Sequence, residues 1–177
     1  MGSEMCIRDR QKGDLVEAER RLEAALTVAA SSRRLDVLRW IIEFSRAQLF
    51  AVKGEHDKAA RVRAELSAAP DGDYFRLARM LTDLTIAFHR GSADGLPDDL
   101  HDWAHEALEM NRFGHGLVLL SWAYAARGDE DMAAHLLREA PDRLEASFLP
   151  ECDPKLHAWM EEKWAAWKLD DPPDWAE

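Results

Sequence analysis

Residues 117–140 read Leu117-Val-Leu-Leu-Ser121-Trp-Ala-Tyr124-Ala-Ala-Arg-Gly128-Asp129-Glu-Asp-Met-Ala133-Ala-His-Leu-Leu137-Arg-Glu-Ala140. Two helix-length runs meet at one Gly-Asp pair. Glycine supplies the left-handed backbone that closes a helix, and an acid just after it suits the positive start of the next helix. Ser121 and Ala133 are small enough to let the two helices approach closely, while Tyr124 and Leu137 fill the space around them.

The same punctuation recurs along the chain. Glycines stand at Gly13, Gly54, Gly91 and Gly128, spaced by 41, 37 and 37 residues, and Gly13, Gly54 and Gly128 are each followed by an acid. A period in this range marks a repeat architecture. Between the glycines run helical stripes: Leu35, Leu38, Ile42, Ser45 and Leu49, then Tyr74, Leu77, Leu81, Leu84 and Phe88. Ile41, Phe44 and Phe50 lie off the first stripe, which predicts an inner helix packed on two sides. Breakers separate the elements at Pro70-Asp71-Gly72, between Gly91 and Pro97, and at Pro141, Pro150, Pro154 and Pro172-Pro173. No useful run alternates with period two, so strands are not expected. The pattern predicts helices near 14–30, 34–53, 56–68, 73–90, 98–110, 112–127, 130–140 and 154–168. Short connections imply antiparallel neighbours, and stacked pairs make a solenoid.

These residues resemble the tetratricopeptide repeat (TPR). The fullest match is Ser121-x2-Tyr124-x3-Gly128-Asp129-x3-Ala133-x3-Leu137-x2-Ala140, with Leu117 and Leu120 in the large apolar places. A second is Ala47-x2-Phe50-x3-Gly54 followed by Ala59, where Arg63 replaces an expected apolar residue. A third, Gly13-Asp14-x3-Ala18-x3-Leu22-x2-Ala25, has the second helix of a pair without the first. The unit at Gly91 departs most, with about eight residues inserted before Trp103, Ala104 and Leu108. The resemblance covers most of residues 13–140. It implies an all-α fold of antiparallel helix pairs stacked as a short TPR-like α-solenoid.

Three regions follow: a non-native or disordered leader over 1–10, helical repeats over 11–150, and a Trp-rich acidic capping helix and tail over 151–177. In the leader, Met5-Cys6-Ile7-Arg8-Asp9 is similar to a translated transposon-end adapter from sequencing libraries. With the half-repeat at Gly13, this predicts an N-terminally truncated fragment whose authentic chain starts near Gln11. Trp159, Trp164, Trp167 and Trp175 crowd the other end. Leu156, Met160, Lys163 and Trp167 trace one helical line there, which reads as a cap over the last apolar face or, alternatively, as an aromatic anchor for a partner.

The resemblance also implies a function, protein–protein interaction as a scaffold or adaptor. In such arrays the first helix of each pair lines a concave groove that takes a peptide or helix. The register places Phe44, Gln48, Leu81, Thr85, Phe88, His89, His115, Val118 and Trp122 there. The alternative for these residues is packing of the solenoid interior. The alternative function is the regulatory helical region of a larger signalling or transcription protein whose effector domain lies upstream. The Lys/Asn/Arg set that clamps a terminal carboxylate in some family members is not reproduced, so an apolar helix or aromatic-bearing segment is the expected ligand.

Composition bounds the other classes. The net charge of −11 is uneven: residues 1–70 balance at +2 and residues 71–177 at −13. The second half thus lacks the clustered basic side chains that nucleic-acid binding uses. No apolar run is long enough to span a bilayer, and no secretory signal pattern opens the chain. The two cysteines make no disulfide framework. The expectation is a cytoplasmic protein with no nucleic-acid or membrane partner. His101-x3-His105 with Glu109 has helical ligand spacing, but the neighbouring Leu100, Trp103, Ala104, Ala107 and Leu108 define the buried stripe, so these three read as a solvated flank. His115 sits between two glycines at a helix entry. Asp98-Asp99, Glu161-Glu162 and Asp170-Asp171 are adjacent in sequence and diverge on a helix. No catalytic residue, metal or cofactor is expected, and the chain is read as not an enzyme.

Overall fold

Two turns organise the backbone. At Gly54, φ is +76°, the Gly54 N–H donates to Ala51 O at 2.9 Å, and Glu55 N–H donates to Phe50 O at 2.8 Å. At Gly128, φ is +83°, Gly128 N–H donates to Ala125 O and Asp129 N–H to Tyr124 O, both at 3.0 Å. This paired five-to-two and six-to-one bonding satisfies carbonyls that a helix end leaves open, and it needs a left-handed residue that glycine occupies without penalty.

The computed structural model describes residues 15–30, 36–109, 114–141 and 153–169, and every regular element among them is helical. In chain order these are α1 (Leu15–Ala30), α2 (Asp36–Val52), α3 (His56–Glu65), a 3-10 turn (Leu66–Ala68), α4 (Asp73–Arg90), α5 (His101–Glu109), α6 (Gly114–Ala126), α7 (Glu130–Glu139) and α8 (Pro154–Ala166). The expected helices are present, with ends shifted by a few residues. Expectations for the leader, the tail and Cys152 fall outside the described residues.

The chain divides into two compact units between Arg90 and Gly91. In the first unit, α2 packs against α1, α3 and α4, and α3 packs against α4. The sequence of α2 explains this position. Ile42 and Leu49 join Ala18, Leu22 and Ala29 of α1 in one cluster. Phe44, Ala47, Phe50 and Ala51 join Ala59, Val62, Leu66, Phe75 and Ile86 in another. One helix thus feeds two cores, as its two-sided apolar pattern predicts.

In the second unit, α6 packs against α5, α7 and α8. It is buried on every side: Leu117, Val118, Leu119, Leu120, Ser121 and Ala123 are all closed to solvent. The insertion near Gly91 is a helix-free segment from residue 91 to 100 whose Leu96 and Leu100 turn inward. Helix α8 begins where buried Asp153 accepts a hydrogen bond from Leu156 N–H at 3.1 Å, with Pro154 in the first turn. Its Leu156, Met160 and Trp164 are buried. It closes with Lys168 at φ 52°, its N–H bonded to Ala165 O, and Leu169 N–H bonded to Trp164 O.

Candidate functional site

Between its two buried arcs, α2 shows two narrow strips to the outside. One carries Arg39 and Arg46. The other carries Val37, Ile41, Ser45, Gln48 and Val52, stepping by four, four, three and four, and each is exposed or half-buried. Helix α4 repeats the arrangement. Arg76, Arg79, Asp83 and Arg90 fall on one side, whereas Tyr74, Ala78 and Leu81, exposed or half-buried, fall on another, in line with the buried Thr85. Neither of the second strips contains Asp, Glu, Lys or Arg, in a chain that is 32% charged.

Gln48, on the α2 strip, reaches the buried Thr82 of α4, which lies beside the α4 strip and not on it. Gln48 Nε2 donates to Thr82 Oγ1 at 3.4 Å, and Thr82 Oγ1 in turn donates to Ala78 O at 2.7 Å. Deeper in, the rings of Phe44 and Phe75 are 6.3 Å apart between centroids. The charged sides are committed to structure. Arg63 of α3 donates from Nε and Nη2 to the two carboxylate oxygens of Asp83 at 2.5 and 2.7 Å, and Arg79 donates to Ala69 O at 3.4 Å. Lys53, at the end of α2, pairs with Glu19 of α1 and with Glu55. Hydrogen bonding to Glu19 first, and to Glu55, raises the Lys53 pKa above its ordinary value.

The residues expected in the groove occupy different depths. Gln48 and Leu81 are half-buried on the uncharged strips, as is His89 at the end of α4. Phe44 and Thr85 are buried, and Thr85 Oγ1 donates to Leu81 O at 2.7 Å. Phe88 is buried with its ring edge-on to His89 at 5.1 Å. His115, Val118 and Trp122 belong to the second unit, on α6, where Val118 and Trp122 are buried and His115 is half-buried. The register does not name Val37, Ile41 or Tyr74, although the four-residue steps from Val37 to Ser45 and from Tyr74 to Ala78 carry the signal.

The second unit holds most of the acid surplus, with seven Lys+Arg against twenty Asp+Glu over residues 91–177, and the uncharged strips belong to the first unit. In the second unit His101, His105 and Glu109 are exposed, with His105 Nδ1 3.7 Å from a Glu109 oxygen. Among the described residues, no three His, Cys, Asp or Glu side chains are grouped to hold a metal ion. A pocket is lined by Gly91 to Leu96, Asp98, Ala126 and Arg127, and the Arg127 guanidinium donates to Asp98 O and Leu96 O. No helix among the described residues is long and apolar enough to cross a membrane. The chain matches no family model, no curated protein and no solved structure.

Proposed function

We propose that this chain is a TPR-like interaction module that binds another protein along the uncharged strips of α2 and α4. The observation that carries the reading is the absence of Asp, Glu, Lys and Arg from both strips, next to faces where charge is dense. A solvated face gains nothing from excluding charge, whereas a surface that loses water against a partner does.

Two further features support the repeat. The turns at Gly54 and Gly128 share their backbone bonds at a separation of twice 37 residues. The contacts have consistent directions: Phe44 with Phe75 and Gln48 with Thr82 climb together along α2 and α4, while Arg63 of α3 with Asp83, and Ala69 O beyond the 3-10 turn with Arg79, run oppositely. This order supports the reading of an antiparallel pair followed by the first helix of the next, the unit that a short solenoid would repeat. The module takes a protein or peptide partner in the cytoplasm and has no catalytic role.

The test is a charge insertion. Ile41→Glu combined with Leu81→Glu places carboxylates on half-buried positions of the strips, and Arg39→Glu alters charge on the other side of α2. Proteins captured by the wild type and by Arg39→Glu, but lost by the double variant, are purified and titrated directly. The expected loss is at least about tenfold in Kd. Equal affinity of the double variant and the wild type discards the reading.

A further inference from the structure

Two features of α8 are unfavourable in its docked form. The first is a side chain. Trp164 lies on the buried line of α8 with Leu156 and Met160 and is 9% exposed. Its indole N–H can only donate, and it is closed to solvent with no hydrogen-bond partner among the described residues. A buried donor in this state forfeits the bond to water that it makes when exposed. At the α6–α7 contact, by comparison, the buried Ser121 Oγ donates to Ala133 O at 2.6 Å. The second feature is the backbone that closes the helix. Among the described residues, Lys168 is the one non-glycine residue with positive φ, at 52°. Helices α2 and α6 place Gly54 and Gly128 in that conformation, which a residue with a Cβ adopts at a penalty. The strain is linked to docking, because the same turn bonds Leu169 N–H to Trp164 O at 3.2 Å and leaves Leu169 buried.

We infer that α8 is a releasable strap: it undocks from α6 in a local opening that leaves the α6–α7 pair folded. Both features act in the same direction. Release gives the Trp164 indole N–H a water acceptor and lets Lys168 leave the left-handed region. Burial of Leu156, Met160 and Leu169 opposes release, so the docked form dominates at equilibrium. Structures open in cooperative pieces, and the piece that opens first is the one whose closed form is least favourable. In this unit α8 is that piece, since the α6–α7 contact has its buried hydroxyl satisfied and its turn built on glycine. Opening uncovers Leu156, Met160 and Trp164 and the side of α6 on which α8 packs. Helix α6 is buried on every side, so the strap controls access to an apolar surface.

The experiment is native-state amide hydrogen exchange of the full chain, read by mass spectrometry on peptides from α8 and from the α6–α7 pair across low urea concentrations. The α8 amides are expected to be protected at least about tenfold less than those of α6 and α7. Their protection should also fall less steeply with urea, since a local opening exposes less surface than unfolding of the whole unit. Two variants test the causes. Lys168→Gly removes the backbone strain at an exposed position and is expected to slow α8 exchange about fivefold. Trp164→Phe keeps an aromatic ring and removes the indole N–H, and it should slow α8 exchange as well. Slowing in either variant supports the strap, and slowing in neither overturns it. Equal protection and equal urea dependence of α8 and the α6–α7 pair in the wild type also overturn it, because α8 would then open only with the rest of its unit.

Discussion

The helix pairs α2–α3 and α6–α7 share a turn and differ in what seals it. Ala47 and Ala59 of the first pair correspond to Ser121 and Ala133 of the second, 74 residues on, and all four are fully buried. In the second pair Ser121 Oγ donates to Ala133 O at 2.6 Å, a buried bond that Ala47 cannot make. Leu137 is fully buried, where the first pair has the half-buried Arg63 bound to Asp83 of α4. Asp129 caps α7 by accepting from Met132 N–H at 3.1 Å, whereas Glu55 caps nothing and pairs with Lys53 and Lys58. The second pair is sealed from within. The first directs charged side chains outward to α1 and α4, so part of its stability depends on neighbours.

Exchanging the residues at the position of greatest difference gives the largest expected effect. Leu137→Arg removes a buried side chain whose truncation alone costs about 2–5 kcal/mol, and it also buries an unpaired charge. The second unit is expected to lose its fold. Six of the seven tryptophans lie in residues 91–177, so their emission reports that unit almost alone. The reverse exchange, Arg63→Leu, gives up a partly exposed ion pair and is expected to cost only about 1 kcal/mol, read as a small shift in the urea midpoint followed by circular dichroism. Comparable losses from both exchanges would show that the two pairs are sealed in the same way.

Substituting the two glycines tests the feature that the pairs share. An added methyl group meets nothing within 4 Å at Gly54 or Gly128, so crowding plays no part. The left-handed φ angles remain, and Gly→Ala at either is expected to cost about 1–2 kcal/mol. A difference between the two sites larger than about 1 kcal/mol would break the equivalence of the turns. Below this in size comes Asp129→Ala, which loses a helix cap for about 1 kcal/mol.

Much of this comparison is legible in the order of the residues. A left-handed glycine followed by an acid between two helical stripes allows few backbones, and both turns follow it. The two-sided apolar pattern likewise predicts a helix packed on both sides, and Phe44 and Phe50 meet it, whereas Ile41 lies on the outer strip. Periodicity assigns residues to faces of one helix but does not say which helix lies opposite. For that reason Arg63 is a mismatch in the repeat pattern and a partner of Asp83 in space. The residues expected in a groove also differ in depth: Gln48 and Leu81 are half-buried, while Phe44, Thr85 and Phe88 are buried. The division at Gly91 falls at the insertion, where the repeat pattern departs most.

The smallest expected effect is in the pH dependence of the first turn. Hydrogen bonds from Lys58 first, and from Lys53, hold the Glu55 carboxyl below its ordinary value, while Glu19 and Glu55 hold the Lys53 ammonium above its own. The signs are opposite. A depressed carboxylate contributes stability that is present above its unfolded value, about 4.3, and is lost as pH falls through the folded value. A raised ammonium contributes stability that is present below its unfolded value, about 10.4, and is lost as pH rises through the folded value. The Glu55–Lys53 contribution is therefore complete between about pH 5 and pH 10 and declines on both sides. Glu55→Gln removes the acid-side decline due to this residue and leaves the glycine turn in place. The urea midpoint of that variant, compared with wild type at about pH 3.5 and about pH 7, should vary less with pH and less with added salt, since exposed pairs are screened. An unchanged pH dependence would mean that solvent already neutralises the pair, and the first turn would then rest on its backbone bonds.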